Sequence, residues 1–525
     1  MGAALVLLLL LAGVAILVPL ADRRRLPSPA VMALYGIVLA LIPGIPGLHL
    51  APKAVLPLLL PPLLFAAAQS SSTQDFARHA RGLLALAVGL VLVSTAVVAA
   101  AAHLIDPRIA WAPAIVLGAL VAPPDPVAAT SLAGRLHLPR RVVEILEGEG
   151  LLNDATSLIT YTVAVSVALG SFTALNGVRV VLVSVVGAPL IGYAVGRLGS
   201  MVIDQLKDPR AEVTLTLLLP YTAYLATDVA GGSGVLAVVV TGLYVGQRGI
   251  GAFTPRGYLT GTTVWSLADW LVSSLAFGLI GFELTSVLKA PTIATHGAKV
   301  ATVVVVAAIG IRALFVVPLG LFLRHRQLHH REGISPDQAQ SWRESALISF
   351  AGMRGVVTFA TAMALPNDFP NRPVVLFSAI VVVLVTLVAQ GFSLPVVVRA
   401  LHVEADDEED DVEDARRRAV EAALDKLDEM REGGEVDDEV ANSLSSAYRR
   451  LAPATSDLDD PTRQHIRGYA EASRELHEVE RSVVLDLRST GQISARAAQL
   501  VLRDLQSREE RGLRQVAATS TQESD

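Results

Sequence analysis

Thirteen runs of apolar residues, most of them long enough to cross a bilayer, follow one another through the first 400 or so of 525 positions. They fall near 2–20, 29–47, 54–70, 82–104, 111–134, 142–169, 178–200, 212–228, 233–246, 262–285, 298–323, 344–365 and 373–399. A hydrocarbon core about 30 Å thick needs about 20 apolar helical residues to span it. None of the runs alternates with period two, as a barrel strand would. Helices, which satisfy their backbone groups internally, are therefore the expected solution in lipid. The first run carries no basic residues before it, and Arg23, Arg24 and Arg25 follow it. That order reads as an uncleaved helix with its N-terminus outside.

Charge supports the count. Taken alternately, one set of loops holds 17 basic residues, among them Arg23–Arg25, Arg140, Arg141, Lys207 and Arg210, and the other set holds six. The richer set belongs on the cytoplasmic side. Thirteen crossings then bring the C-terminal tail to the cytoplasm. The expected fold is an all-α polytopic membrane protein of about 13 transmembrane helices, residues 1–401, followed by an acidic, helical cytoplasmic region, 402–525. This tail holds 31 of the 49 acidic and 17 of the 43 basic residues, a net of −14 against +8 for the rest. It opens on an acidic run, Glu404 to Asp414, that repels itself. Helix-like stretches follow at 415–432, 437–452, 460–488 and 494–511, with Leu476, Val479, Val483, Val484 and Leu487 at helical spacing. The tail reads either as a solvated appendage or as a regulatory or dimer-stabilising region.

Composition excludes several functions. No segment is basic enough for a nucleic-acid binder. The absence of Cys removes disulfide frameworks, thiol catalysis and Cys-ligated metal. No Ser-His-Asp or metal-ligand constellation appears, so the chain is not expected to be an enzyme, and no cofactor is expected. His325, His329 and His330 read as a solvated loop rather than a metal cluster.

An ionisable residue at the bilayer centre costs roughly 2.5–3.5 kcal/mol, so those that occur there face a pathway or a partner. The fifth segment contains Pro123-Pro124-Asp125-Pro126. Its prolines stop the helix mid-membrane. The freed carbonyls, that of Pro124 among them, can hold a cation, and the new half-helix start favours the Asp125 charge. The alternative is a simple kink in which Asp125 only caps Val127 onward. The twelfth segment contains Gly352-Met353-Arg354-Gly355. Its glycines allow unwinding, and Arg354 must find a carboxylate or carbonyl partners. A Pro-broken and a Gly-broken helix seven segments apart point to an inverted-repeat transporter with its site where they cross. In the sixth segment Glu149 and Asn153 share a face, and Asp154 turns away by about 100°. Glu149 is the expected partner of Arg354, which leaves Asp154 without a fixed cation and open to competition between a proton and a metal ion. Asp228, Asp269, Glu283 and Arg312 read as structural: Asp269 and Glu283 near opposite ends of the tenth segment, Arg312 in an ion pair or snorkelling.

At these residues the chain resembles the monovalent cation:proton antiporter family, in its bacterial sodium/proton exchanger branch. The matching stretches are Leu60-Pro61-Pro62-Leu63-Leu64-Phe65, Asp125-Pro126-Val127-Ala128, Glu147-Gly148-Glu149 with Leu151-Leu152-Asn153-Asp154-Ala155, Ser233-Gly234-Val235-Leu236-Ala237, and Gly352-Met353-Arg354-Gly355. The resemblance implies a six-helix core, a dimerisation bundle and a homodimer in the plasma membrane. It implies Asp154 as carrier of the cation or proton, with Asn153 and Asp125 beside it and Glu149–Arg354 as a structural pair. An Asn-Asp pair resembles the electroneutral branch, one Na+ (or Li+ or K+) per H+, serving pH and cation homeostasis. A potassium/proton antiporter and a membrane-embedded sensor signalling through the tail are the alternatives. Three positions depart from the family: Pro124 stands for a Thr, Gly150 for a Ser and Ala66 for an acid. Water or Thr156 is then left to supply the missing oxygens.

Overall fold

The computed structural model describes residues 2–24, 26–45, 52–71, 82–136, 138–288, 297–330, 341–403, 422–433, 442 and 445. The chain separates into two units, Met1–Asp406 and Asp407–Asp525. In the second, a helix covers 422–432 and pairs exposed Lys426 with Glu429 at 2.7 Å. The acidic run 404–414 and the expected helices 460–488 and 494–511 lie outside the described residues, as does nearly all of 437–452.

The first unit is helical, with no strand among the described residues. In chain order its helices are α1 (Gly2–Arg23), α2 (Ser28–Leu41), α3 (Pro52–Ser70), α4 (Gly82–Ile105), α5 (Trp111–Val121), α6 (Val127–Leu136), α7 (Arg140–Ala168) and α8 (Ala174–Gln205). There follow α9 (Pro209–Val229), α10 (Gly234–Ala252), α11 (Pro255–Val287), α12 (Gly297–His330), α13 (Trp342–Phe350), α14 (Val356–Met363) and α15 (Arg372–Leu401). Seven of them, α1, α4, α7, α8, α11, α12 and α15, are long and apolar enough to cross a membrane. Helices α2, α3, α5 and α10 are apolar and shorter. Large apolar side chains stand exposed along the outside, Leu8, Leu104 and Leu190 among them, as expected of a surface solvated by lipid.

Both interruptions expected from the sequence occur. The fifth apolar run is split into α5 and α6 by residues 122–126, and the twelfth into α13 and α14 by residues 351–355. Among the described residues three helices also contain a π-helical stretch: α4 at Ala85–Leu90, α8 at Val183–Gly187 and α15 at Thr386–Gln390. Nothing in the apolar pattern marks them, because one extra residue in a turn leaves composition unchanged. They matter, since such bulges re-aim side chains near functional positions.

Packing sorts the helices into two groups. In one, α2 lies along α11, α3 and α8 along α10, and α9 against α10 and α11. In the other, α4 packs on α5 and α12, α5 on α7, and α12 on α13 and α15. The seam between them is formed where α11 meets α14 and α15, and α3 meets α7 and α14. Small residues set the closest approaches. A Cβ at Gly36 would overlap the Gly278 carbonyl, and one at Gly281 would overlap the Ala33 carbonyl. Side-chain-free contacts of this kind let helix backbones approach in lipid, where apolar burial alone supplies no drive for association.

Gly36→Ala is accordingly expected to destabilise the bundle by about 1–3 kcal/mol through overpacking. Gly310, with open space around it, is expected to tolerate Ala. Melting temperatures of the two purified variants in one detergent measure the contrast.

Candidate functional site

Breaking two helices mid-membrane exposes N–H groups at the new helix starts and carbonyls at the new ends. At the crossing these groups are satisfied by two side chains of opposite charge. Asp125 is buried. Its Oδ1 accepts from Val127 N at 2.9 Å, at the start of α6. Its Oδ2 accepts from Val356 N at 2.9 Å, at the start of α14. One carboxylate thus caps both half-helices, where two macrodipoles favour negative charge. The two breaks are also tied through the main chain, Asp125 N donating to Met353 O at 2.6 Å. Capping of Val127, the simpler of the two sequence readings, is therefore present and is half of what Asp125 does.

Arg354, 1% exposed, performs the complementary task. It donates to Val121 O at the end of α5 (2.9 Å), to Gly352 O (2.7 Å) and to Ala308 O of α12 (3.0 Å). Its own backbone N–H donates to Thr386 Oγ1 at 3.0 Å, at the start of the π-helical stretch of α15. The expected Glu149–Arg354 pair is not formed. Glu149, fully buried in α7, receives Arg312 of α12 instead, in a two-pronged contact at 2.6 and 2.9 Å. Arg312 also donates to Ser349 O and Ile348 O near the end of α13. The reason is positional. Arg354 sits inside the break, where free carbonyls surround it, whereas Arg312 projects from an intact helix and finds a carboxylate. Arg312 is a structural pair, one of the two roles expected of it.

The glycines of the second break serve space rather than backbone freedom. Neither Gly352 nor Gly355 has positive φ. A Cβ on Gly352 would overlap the Arg312 guanidinium, and one on Gly355 the Asp125 carboxylate.

Asn153 and Asp154 stand on α7 beside the first break. Asn153 Nδ2 donates to Pro124 O at 3.1 Å, so the carbonyl expected as a cation ligand already accepts one hydrogen bond. Asn153 Oδ1 is buried without a partner. Asp154 is 6% exposed, lies within Coulombic range of Asp125, and makes no hydrogen bond or ion pair among the described residues. The geometry therefore leaves the Asn153 oxygen unsatisfied and the largely buried Asp154 carboxylate without a partner among the described residues, on successive positions of α7. Such atoms are costly unless a ligand or proton completes them. Thr156 Oγ1 bonds back to Leu152 O at 3.4 Å, and Ser157 Oγ donates to Ala119 O at 2.7 Å.

Among the other charges, Asp228 is exposed at the end of α9. Asp269 is misplaced by the sequence reading: α11 begins at Pro255, capped by Thr254, two turns before the apolar run, so Asp269 sits near the middle of the helix. Ala66 is half-buried on α3.

A helical membrane bundle in which two interrupted segments cross beside a buried acid without a partner among the described residues is the architecture of a secondary ion transporter. Comparison with known proteins makes this specific. A family model described as sodium/hydrogen exchanger, transmembrane, matches residues 7–400, and the chain belongs to that family. An uncharacterized Na(+)/H(+) exchanger of Mycobacterium tuberculosis H37Rv is 30% identical over 528 aligned positions, 96% of this chain and 94% of its own. A sodium, potassium, lithium and rubidium/H(+) antiporter of Bacillus pumilus is 28% identical over 451, 81% of this chain and 65% of its own. Among solved structures, the sodium proton antiporter MjNhaP1 from Methanocaldococcus jannaschii matches with a TM-score of 0.58 and 18% identity, over 77% of this chain and 99% of that one. That likeness is one of fold.

Removing one member of a buried pair leaves an uncompensated charge and costs about 3–5 kcal/mol. Glu149→Gln and Arg312→Met are each expected to lose stability on that scale. In a double-mutant cycle Glu149 is expected to couple more strongly to Arg312, which it contacts directly, than to Arg354, as read from melting temperatures.

Proposed function

We propose that this protein exchanges Na+ for H+ across the plasma membrane, one for one, with Asp154 as the shared binding group. The observation that carries the proposal is the largely buried Asp154 carboxylate, without a partner among the described residues, next to Asn153 on α7, whose Oδ1 is buried and unsatisfied beside the first break. Asp125 holds its charge against two helix starts and Arg354 against helix ends, so both are committed. Among the described residues Asp154 alone of these groups has no partner. It is neutralised by a proton in one half of the cycle and by a monovalent cation, held with the Asn153 oxygen and water, in the other. One exchangeable carboxylate gives one cation per proton, which supports the electroneutral reading.

The seam between the two helix groups supplies the moving surface. Sliding or rocking of one group against the other exposes Asp154 to each side in turn. A pH difference of one unit then supplies about 1.4 kcal/mol per proton, enough for roughly tenfold cation accumulation or expulsion. The N-terminus lies outside and the tail 402–525 in the cytoplasm as a regulatory region. The transporter works as a homodimer in pH and cation homeostasis. K+ and Li+ remain substrates to be compared with Na+, because the relative from Bacillus pumilus carries all three in its name.

Purified protein in liposomes with an imposed pH gradient is expected to dissipate it when Na+ is added, and Asp154→Asn is expected to abolish the flux. Parallel additions of Li+ and K+ rank the substrates. Because proton and cation compete for one group, the apparent KM for the cation is expected to rise as pH falls, by at most about tenfold per unit, with Vmax at saturating cation unchanged. Wild-type exchange by Asp154→Asn overturns the proposal.

A further inference from the structure

Asp269 is the one mid-helix acid of α11 that neither a helix start nor a fixed cation accounts for. Its recorded hydrogen bond is from Ser273 Oγ, at 3.4 Å, a long contact for a hydroxyl and a carboxylate. No ion pair to it occurs among the described residues. It nevertheless lies near the middle of a 33-residue helix, half-buried, and within Coulombic range of Asp125. An acid kept in such a place in a membrane protein marks a polar pathway.

The direction it faces is fixed by its neighbours. Trp265, one turn earlier on the same helical face, is buried. Its ring packs on Phe65 of α3 with centroids 4.8 Å apart, and its Nε1 donates to Thr216 Oγ1 of α9 at 3.1 Å. Trp265 is thereby held against α3 and α9, and Asp269 and Ser273 follow it on the same face at one-turn spacing. Helix α11 also packs on α14, whose first N–H is capped by Asp125. Asp269 thus belongs to one helix group, whereas Asp125 and Asp154 belong to the other. Among the described residues these acids do not converge into one metal-ligand cluster, so Asp269 is not a simultaneous ligand with Asp154 in this conformation.

We propose that Asp269 is a second cation station, which takes a hard monovalent cation through its carboxylate and the Ser273 hydroxyl and passes it to or from Asp154 across the seam. Hard cations favour oxygen ligands, and a carboxylate facing the path raises the local cation concentration next to the carrier. Because the two stations stand on opposite helix groups, their separation changes whenever the groups move. Loading at Asp269 is then tied to one orientation of the carrier. The proposal rests on the exchange reading above, with Asp154 as the carrier.

The test uses full-length protein in liposomes, initial rates against Na+ concentration at one pH, and the variants Asp269→Asn, Asp269→Glu and Asp154→Asn. Asp269→Asn is expected to raise the Na+ KM by about tenfold with Vmax within about twofold of wild type, the mark of lost cation binding rather than lost turnover. Asp269→Glu is expected to restore most of the affinity, since it returns the charge. Asp269→Ser provides the same neutralisation in a smaller side chain should the Asn variant not fold. An unchanged KM in the neutral variants, with Asp154→Asn inactive, overturns the station while leaving the carrier intact. A loss of Vmax and melting temperature with no change in KM and no rescue by Glu assigns Asp269 a structural role and also overturns it. Full exchange by Asp154→Asn removes the carrier reading, and this proposal with it.

Discussion

Backbone that is not helical in the middle of a membrane must have every N–H and C=O satisfied from within the protein. That constraint organises this structure. Residues 122–126 and 351–355 are two such interruptions, and each supplies what the other lacks. The half-helix starts at Val127 and Val356 share the Asp125 carboxylate, while the helix end at Val121 and the carbonyl of Gly352 share the Arg354 guanidinium. An acceptor-only group sits where donors are orphaned, and a donor-only group where acceptors are. Each break is satisfied in part by groups of the other, and this makes the crossing one unit.

The Glu149–Arg312 pair follows from the same logic at the next level out. With Arg354 taken up by carbonyls, Glu149 would be a bare charge in the bundle if Arg312 did not reach it. Arg312 also fastens α12 to the end of α13 through Ser349 and Ile348. The ion pair therefore braces the helix that carries Asn153 and Asp154 against the arm leading into the second break. Around the crossing Asp125, Glu149, Arg312 and Arg354 are each engaged, two by each other and two by the backbone, whereas Asp154 has no partner among the described residues. A transport site of this kind is defined as much by which neighbours are already engaged as by the acid itself.

Much of this was legible in the residues and some was not. Apolar run length located the helices, and Pro123-Pro124-Asp125-Pro126 and Gly352-Met353-Arg354-Gly355 located the breaks, because both signals are local in sequence. The partner of Glu149 was not local. Two arginines, at 312 and 354, competed for one carboxylate, and residue type alone does not rank them. The useful signal was that Arg354 lies within the unwound stretch, where carbonyls are free, while Arg312 stands on an intact helix and reaches both Glu149 and the carbonyls at the end of α13. Asp269 was misplaced for a related reason. An apolar window sees where hydrophobicity starts, not where Thr254 caps the helix, so an acid near the edge of the window proved to be near the centre of the helix. The expected tail helices beyond residue 445 fall outside the described residues.

Gly150 shows how a departure in sequence is read differently once packing is known. As a residue type it counts as a missing hydroxyl beside Asp154. In the structure a Cβ at that position would collide with the ring of Pro126. The glycine therefore accompanies the way α7 meets the first break. Pro126 in turn follows Asp125 and directs the chain into α6, so bulk at 150 would push against the residue that sets where the Asp125 carboxylate points. Pro124 fits the same scheme: its carbonyl takes the Asn153 amide and turns the Asn153 oxygen away, unsatisfied. Residues 124, 126, 150 and 153 thus form one steric and hydrogen-bonded arrangement. Its consequence is chemical: the hydroxyl missing at 150 goes with a close approach of α7 to the break, which brings Asn153 onto the Pro124 carbonyl and Asp154 beside it.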